Sequence, residues 1–225
     1  MRLVVPWLIT MALLGLFCKL AWWQWQRAGE KEARLALMVS RPQLSLAEAL
    51  NQAEPNDWPV RVRGRWLPQA VLWDNRTLGA KVGYDLLQPF ETDEGTLLVD
   101  RGFLAAPEHR DQLPTLPLAS GEALLLGHLR LPERGLLLGA NSPEAIKGAW
   151  RIQEPLPADL APALKLKLLP VVLNLGQGAD GLVPHWAPVV MPPEKHRAYA
   201  VQWALMALAL VVVFGFWLRK QRRAP

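Results

Sequence analysis

The chain has 225 residues, of which 51% are hydrophobic, a formal net charge of +5, and one cysteine, Cys18. A single cysteine excludes an intramolecular disulfide and any two-cysteine metal or redox motif within one chain. Arg219, Lys220, Arg222 and Arg223 crowd together beside an apolar stretch; this is membrane-flanking charge rather than a nucleic-acid patch, so no nucleic acid is expected as a partner.

Residues 3–25 form the first apolar run, close to the ~20 residues an α-helix needs to cross ~30 Å of hydrocarbon. The run is too long for a signal-peptide core, and Leu20-Ala21-Trp22-Trp23-Gln24-Trp25 contains no small-x-small cleavage site. Phe17 stands before Cys18 where lipoprotein processing needs a small residue. Trp22, Trp23 and Trp25 read as an interfacial aromatic belt and Lys19 as a charge that snorkels to the interface. Pro6 falls in the first turn, where proline costs little. Helix-forming residues and the Glu30-Arg34 pair extend this helix as a stalk to about residue 39.

Residues 40–195 read as one water-facing domain. Ser45-Leu46-Ala47-Glu48 is a capping box opening a short helix to about residue 52, closed by Pro55 and Pro59. Alternating or apolar runs then predict strands at 60–63, 71–73, 84–90, 96–104, 122–131, 136–138, 149–153 and 171–175. Residues 91–95 form a hairpin loop ending in Gly95, and Asp74-Asn75-Arg76 with Gly79 and Gly83 reads as turn chemistry. Pro157 and Pro162 leave room for one short helix within 156–168. A second apolar run, 198–218, has Tyr199 and Trp203 near its start and Trp217 at its end, and residues 219–225 form a basic tail. The expected fold is a membrane α+β protein: two transmembrane helices flanking a mainly antiparallel β extramembrane domain with short helices, its sheet a partly closed barrel in one form. Arg2 and the tail favour cytoplasmic termini, but Arg27, Lys31, Arg34, Lys195 and Arg197 nearly balance them. A large domain translocates largely regardless of charge, so both termini are expected inside and the domain outside.

No phosphate-binding glycine loop, HExxH, nucleophile elbow or Rossmann fingerprint occurs, and the chain is not read as an enzyme. The four histidines lack metal-ligand spacing. His109 sits in a polar loop, His128 in a strand, and His185 is uninformative alone. His196 stands two residues before the second apolar run, between Lys195 and Arg197. It reads on its own as an interfacial polar residue. The alternative is a neutral imidazole on haem iron with Lys195 and Arg197 pairing the propionates. Asp100-Arg101-Gly102 reads as a turn held by a salt bridge, or as Arg101 offered to an anion. Gln24 and Gln202 are placed for hydrogen bonds between the two spans.

A series of short fragments runs through the chain in order: Trp23-Gln24 with Arg27 and Lys31; Gly64 with Trp66-Leu67; Asp74-Asn75-Arg76; Gly83-Tyr84 with Pro89; Val99-Asp100-Arg101-Gly102; Gly127-His128-Leu129-Arg130 with Pro132; Asn141; Trp150; and Pro193, His196, Tyr199-Ala200-Val201-Gln202-Trp203. Taken together, these fragments resemble the Surfeit locus protein 1 family, membrane factors for cytochrome c oxidase assembly. Ala21, Phe103 and Ala204 depart from the family's usual glycine, tryptophan and phenylalanine. The resemblance implies a bacterial inner-membrane protein with a periplasmic central domain, aiding haem a delivery or insertion into oxidase subunit I. It makes His196 the candidate haem ligand. Its partners would be subunit I, the lipid bilayer and haem a synthase; a scaffold that binds these proteins without touching haem is the alternative.

Overall fold

The computed structural model describes residues 4–107, 112–135 and 140–223. In chain order the elements are α1 (Val4–Ser40), β1 (Leu44–Ser45), α2 (Leu46–Leu50), β2 (Pro59–Trp66), β3 (Val71–Leu78), β4 (Lys81–Thr92), β5 (Gly95–Ala105), β6 (Glu122–Arg130), β7 (Glu144–Ile146), β8 (Ala149–Ile152), α3 (Pro157–Leu164), β9 (Leu168–Leu175) and α4 (Pro193–Arg223). They fall into two compact units: a helical one, Met1–Ser40 with Pro188–Pro225, and a β-rich one, Arg41–Ala187.

In the helical unit α1 and α4 pair antiparallel. Trp7 meets Phe214 edge-on at 4.8 Å and Phe17 stacks on Trp203 at 5.7 Å. The buried small residues Ala28, Ala200 and Ala207 let the backbones approach. Both helices are long and apolar enough to cross a membrane, with mean hydropathies of 2.0 and 2.2 over their most apolar windows. Only 6% of each window is buried, so these apolar side chains cover no protein core. At 37 residues α1 is about 55 Å long, so more than a bilayer's thickness of helix is present. Helix α4 continues through Arg219, Lys220 and Arg222 rather than stopping at residue 218.

Among the described residues the β-rich unit holds a nine-stranded sheet, six of whose nine pairings are antiparallel. Five strands close into a ring: β2 pairs with β6, β6 with β9, β9 with β5, β5 with β4, and β4 returns to β2 through Arg65↔Glu91 and Trp66↔Phe90. Numbered along the chain, the ring reads 1-2-3-5-4 and back to 1, the Greek-key order of an OB-type barrel. Closure needs a close backbone approach at Gly64, where a Cβ would lie 2.1 Å from the Glu91 carbonyl oxygen. The barrel interior is filled by Val60, Val62, Phe90, Leu97, Val99, Leu125, Leu129, Val171 and Leu173, so it is a core and not a ligand cavity. A second core (Val71, Leu87, Leu98, Ile152, Leu160, Leu164, Val172) lies on the opposite strand faces, where α3 and β8 contribute.

The capping box forms as read: the Glu48 N–H donates to Ser45 Oγ, and the Ser45 N–H donates back to Glu48 Oε2 at 2.8 Å. Asp74-Asn75-Arg76 differs from the turn reading. It lies inside β3 as a bulge, with Asn75 at φ +58°, and the tight turn falls at Gly79-Ala80 instead. The strand expected at 136–138 and His109 lie outside the described residues.

Candidate functional site

Two clusters collect most polar motif residues. The first belongs to the helical unit. His196, on the first turn of α4, is 8% exposed, and its Nδ1 lies 2.7 Å from Oε1 of Gln24 on α1. Sequence reasoning placed Gln24 for a bond between the spans. Its partner proves to be His196, while Gln202 is exposed. Arg197 Nη2 lies 2.6 and 2.7 Å from the carboxylate oxygens of Glu32, and its guanidinium stands 5.9 Å from the Trp25 ring. This pair is roughly half exposed, so Arg197 is held loosely by an exchangeable surface ion pair. Lys195 is exposed. The arrangement offers one imidazole at the polar end of an apolar helix pair, flanked by two cations.

The second cluster lies in the β-rich unit. Arg76 Nε donates to Asp85 Oδ2 at 2.7 Å, while His185 Nδ1 lies 2.8 Å from Asp85 Oδ1 and His185 Nε2 lies 2.9 Å from the Thr77 carbonyl. Trp73 carries two guanidinium groups, Arg76 at 3.8 Å and Arg130 at 4.8 Å from its ring. Asp100 accepts from the Gly102 N–H at 3.0 Å through Oδ1. Its Oδ2, Nε and Nη2 of Arg130, and Oδ1 of Asn174 are buried and make no protein hydrogen bond. Burial first, and then the charge of Asp85, push the Asp100 carboxyl up to about 7, against Arg130, the Gly102 N–H and Arg76. Burial also lowers the pKa of Arg130. Nothing in the sequence marks His185 as a member of this cluster, because Asp85 stands 100 residues away.

Asp100 and Arg101 do not pair with each other. Arg101 donates instead to Gln88 Oε1 at 3.0 Å, to the Pro117 carbonyl and to Asp180. Gln88 in turn donates to the Leu67 and Ala119 carbonyls, both at 2.8 Å. Arg101 is thus itself buried and spent on protein groups: the buried Gln88, a main-chain carbonyl and the exposed carboxylate of Asp180. Gly102 is required at φ +115°, because a Cβ there would lie 2.4 Å from the Val183 carbonyl oxygen. His128 stacks on Trp186 at 5.7 Å, and burial lowers its pKa against the pull of Asp57. Among the described residues no group of three or more His, Cys, Asp or Glu side chains is placed to hold a metal ion.

The sequence model of the SURF1 family matches residues 11–208. The chain belongs to the SURF1 family. This is the family, known for cytochrome oxidase assembly, that the motif residues resemble. The match takes in Gln24 and His196 on the paired helices as well as Asp85, Asp100 and Arg130 in the β-rich unit. No curated protein matches the chain. As a SURF1-family member its motifs divide by role: Gly64, Arg101 and Gly102 shape the β-rich unit, whereas His196 and Gln24 face each other on apolar helices.

Proposed function

We propose that this SURF1-family chain is an inner-membrane assembly factor that receives haem a at His196 and passes it to cytochrome c oxidase subunit I, with its central domain in the periplasm. Haem a is cargo here, an apolar macrocycle with two carboxylates. The observation that carries the reading is the place of His196: a single imidazole at the polar end of two lipid-compatible helices, beside Lys195 and Arg197. The chemistry of these side chains fits the group. An imidazole can ligate iron, apolar helices suit the ring, and the two cations suit the propionates. One protein ligand, with Arg197 held only by an exchangeable surface ion pair, suits a carrier that must let go.

The test is an absorption spectrum of the full chain purified in detergent from cells making haem a. Wild type is expected to show a Soret band and His196→Ala to lose it. A bandless wild type would remove the carrier reading.

One observation favours a second reading. The β2–β6 face exposes Arg61 and Arg63 directly across from Leu126 and Leu124, a mixed basic and apolar surface suited to a protein partner. In that reading the chain is a scaffold for oxidase subunits or haem a synthase. His196→Ala would then keep oxidase assembly, while Arg61→Glu with Leu126→Ser would abolish copurification.

A further inference from the structure

A neutral imidazole has one N–H and one lone pair, and the partner of one nitrogen decides the role of the other. His196 Nδ1 faces the amide oxygen of Gln24 at 2.7 Å. An amide oxygen only accepts, so the ring proton belongs on Nδ1, and the lone pair is left on Nε2. We propose that Gln24 is a positioning residue which holds His196 as the Nδ1–H tautomer and so makes Nε2 the ligating atom for haem iron. This rests on the reading of His196 as the haem ligand.

Three further observations bear on it. His196 is 8% exposed, so a ring flipped away from Gln24 would leave a buried nitrogen without a partner. The bond joins residues 172 positions apart, on different helices, so the ligand is prepared only where α1 and α4 are paired. The pair is also bracketed: Phe17 stacks on Trp203 on one side, and Glu32 binds Arg197 on the other. The register that brings Gln24 to His196 therefore does not depend on the Gln24 bond alone. The acceptor is an amide and not a carboxylate. A carboxylate at this place strengthens a histidine ligand by drawing its Nδ1 proton, and a neutral amide does so less. Gln24 thus orients the ring while leaving the iron bond weak enough for transfer.

The test begins without haem. In full-length protein labelled with 15N-histidine and placed in nanodiscs, the resonances lost in His196→Ala identify the residue. Wild type is expected to show the Nδ1–H tautomer, Gln24→Glu to keep it, and Gln24→Leu to move toward Nε2–H. Glu32→Ala loosens the helix pair without touching Gln24 and is expected to leave the tautomer unchanged. An Nε2–H wild type, or a tautomer unaffected by Gln24→Leu, overturns the proposal.

The second arm uses haem a. Gln24→Leu should lower haem retained per protein by about tenfold or more. Gln24→Glu should keep the Soret band and shift the iron midpoint potential downward. If Gln24→Leu does not fold, the wild-type tautomer and the Gln24→Glu potential still decide. A wild type without a Soret band overturns the haem reading itself. A His196-dependent band with wild-type occupancy and potential in both Gln24 variants overturns the positioning role alone.

Discussion

Asp100 concentrates the electrostatic tension of the β-rich unit. It is 3% exposed, faces a second buried carboxylate in Asp85, and keeps one oxygen without a hydrogen bond. Its pKa in the folded chain is raised from 3.8 to about 7. A carboxyl raised in this direction contributes its full stability below its unfolded pKa, and that contribution is lost as pH rises toward the folded value. Asn at this position keeps an acceptor for the Gly102 N–H and cannot ionise. Thermal melts of wild type and Asp100→Asn, followed by tryptophan fluorescence from about pH 4 to about pH 8, should diverge in favour of the variant as pH rises. The gap should level off above about 7. A constant gap across that range would mean Asp100 does not titrate there. The spacing of Asp100 and Arg101 in sequence suggested that they work together. A strand sends neighbouring side chains to opposite faces, and that alternation separates them.

Elements with a clear period were legible in the sequence. Pro59–Trp66 alternates interior valines with exterior arginines, and Ser45 with Glu48 announces the start of α2. Elements without a period were not. Leu44–Ser45 and Glu144–Ile146, of two and three residues, are too short to show alternation. The bulge at Asp74-Asn75 breaks the phase of β3, so only its first three residues read as strand. Barrel closure was legible only as one possible form, because the β2–β4 contact joins residues far apart and rests on a glycine whose reason is the opposing Glu91 carbonyl. Gly64→Ala should therefore destabilise the β-rich unit by roughly 1–3 kcal/mol, since backbone and not a flexible side chain must yield. Gly176→Ala, where a Cβ meets nothing within 4 Å, should stay within about 0.5 kcal/mol of wild type. Urea titrations of the two variants against wild type measure the difference.

The whole molecule joins a lipid-compatible helix pair to a β-rich unit with a solid interior. Its family was legible from the order of its motifs. The pairing of Gln24 with His196 was not, because nothing in sequence marks which polar residues of two spans face each other. Antiparallel packing puts Val4 and Arg223 at the same end of the helix pair. Compartment-sensitive reporters fused before Val4 and after Arg223 should accordingly give the same signal. Opposite signals would mean that the two helices do not both cross.

The distance along the chain between Gln24 and His196 also sets a schedule. A ribosome adds about 5–20 residues per second, so Gln24 is made on the order of ten to thirty seconds before its partner exists. During that interval the entire β-rich unit is synthesised, and only afterwards can the imidazole meet its acceptor. Chains arrested or clipped before residue 196 therefore lack that imidazole, and under the proposed role of His196 loading would be reserved for polypeptides whose translation has passed that point.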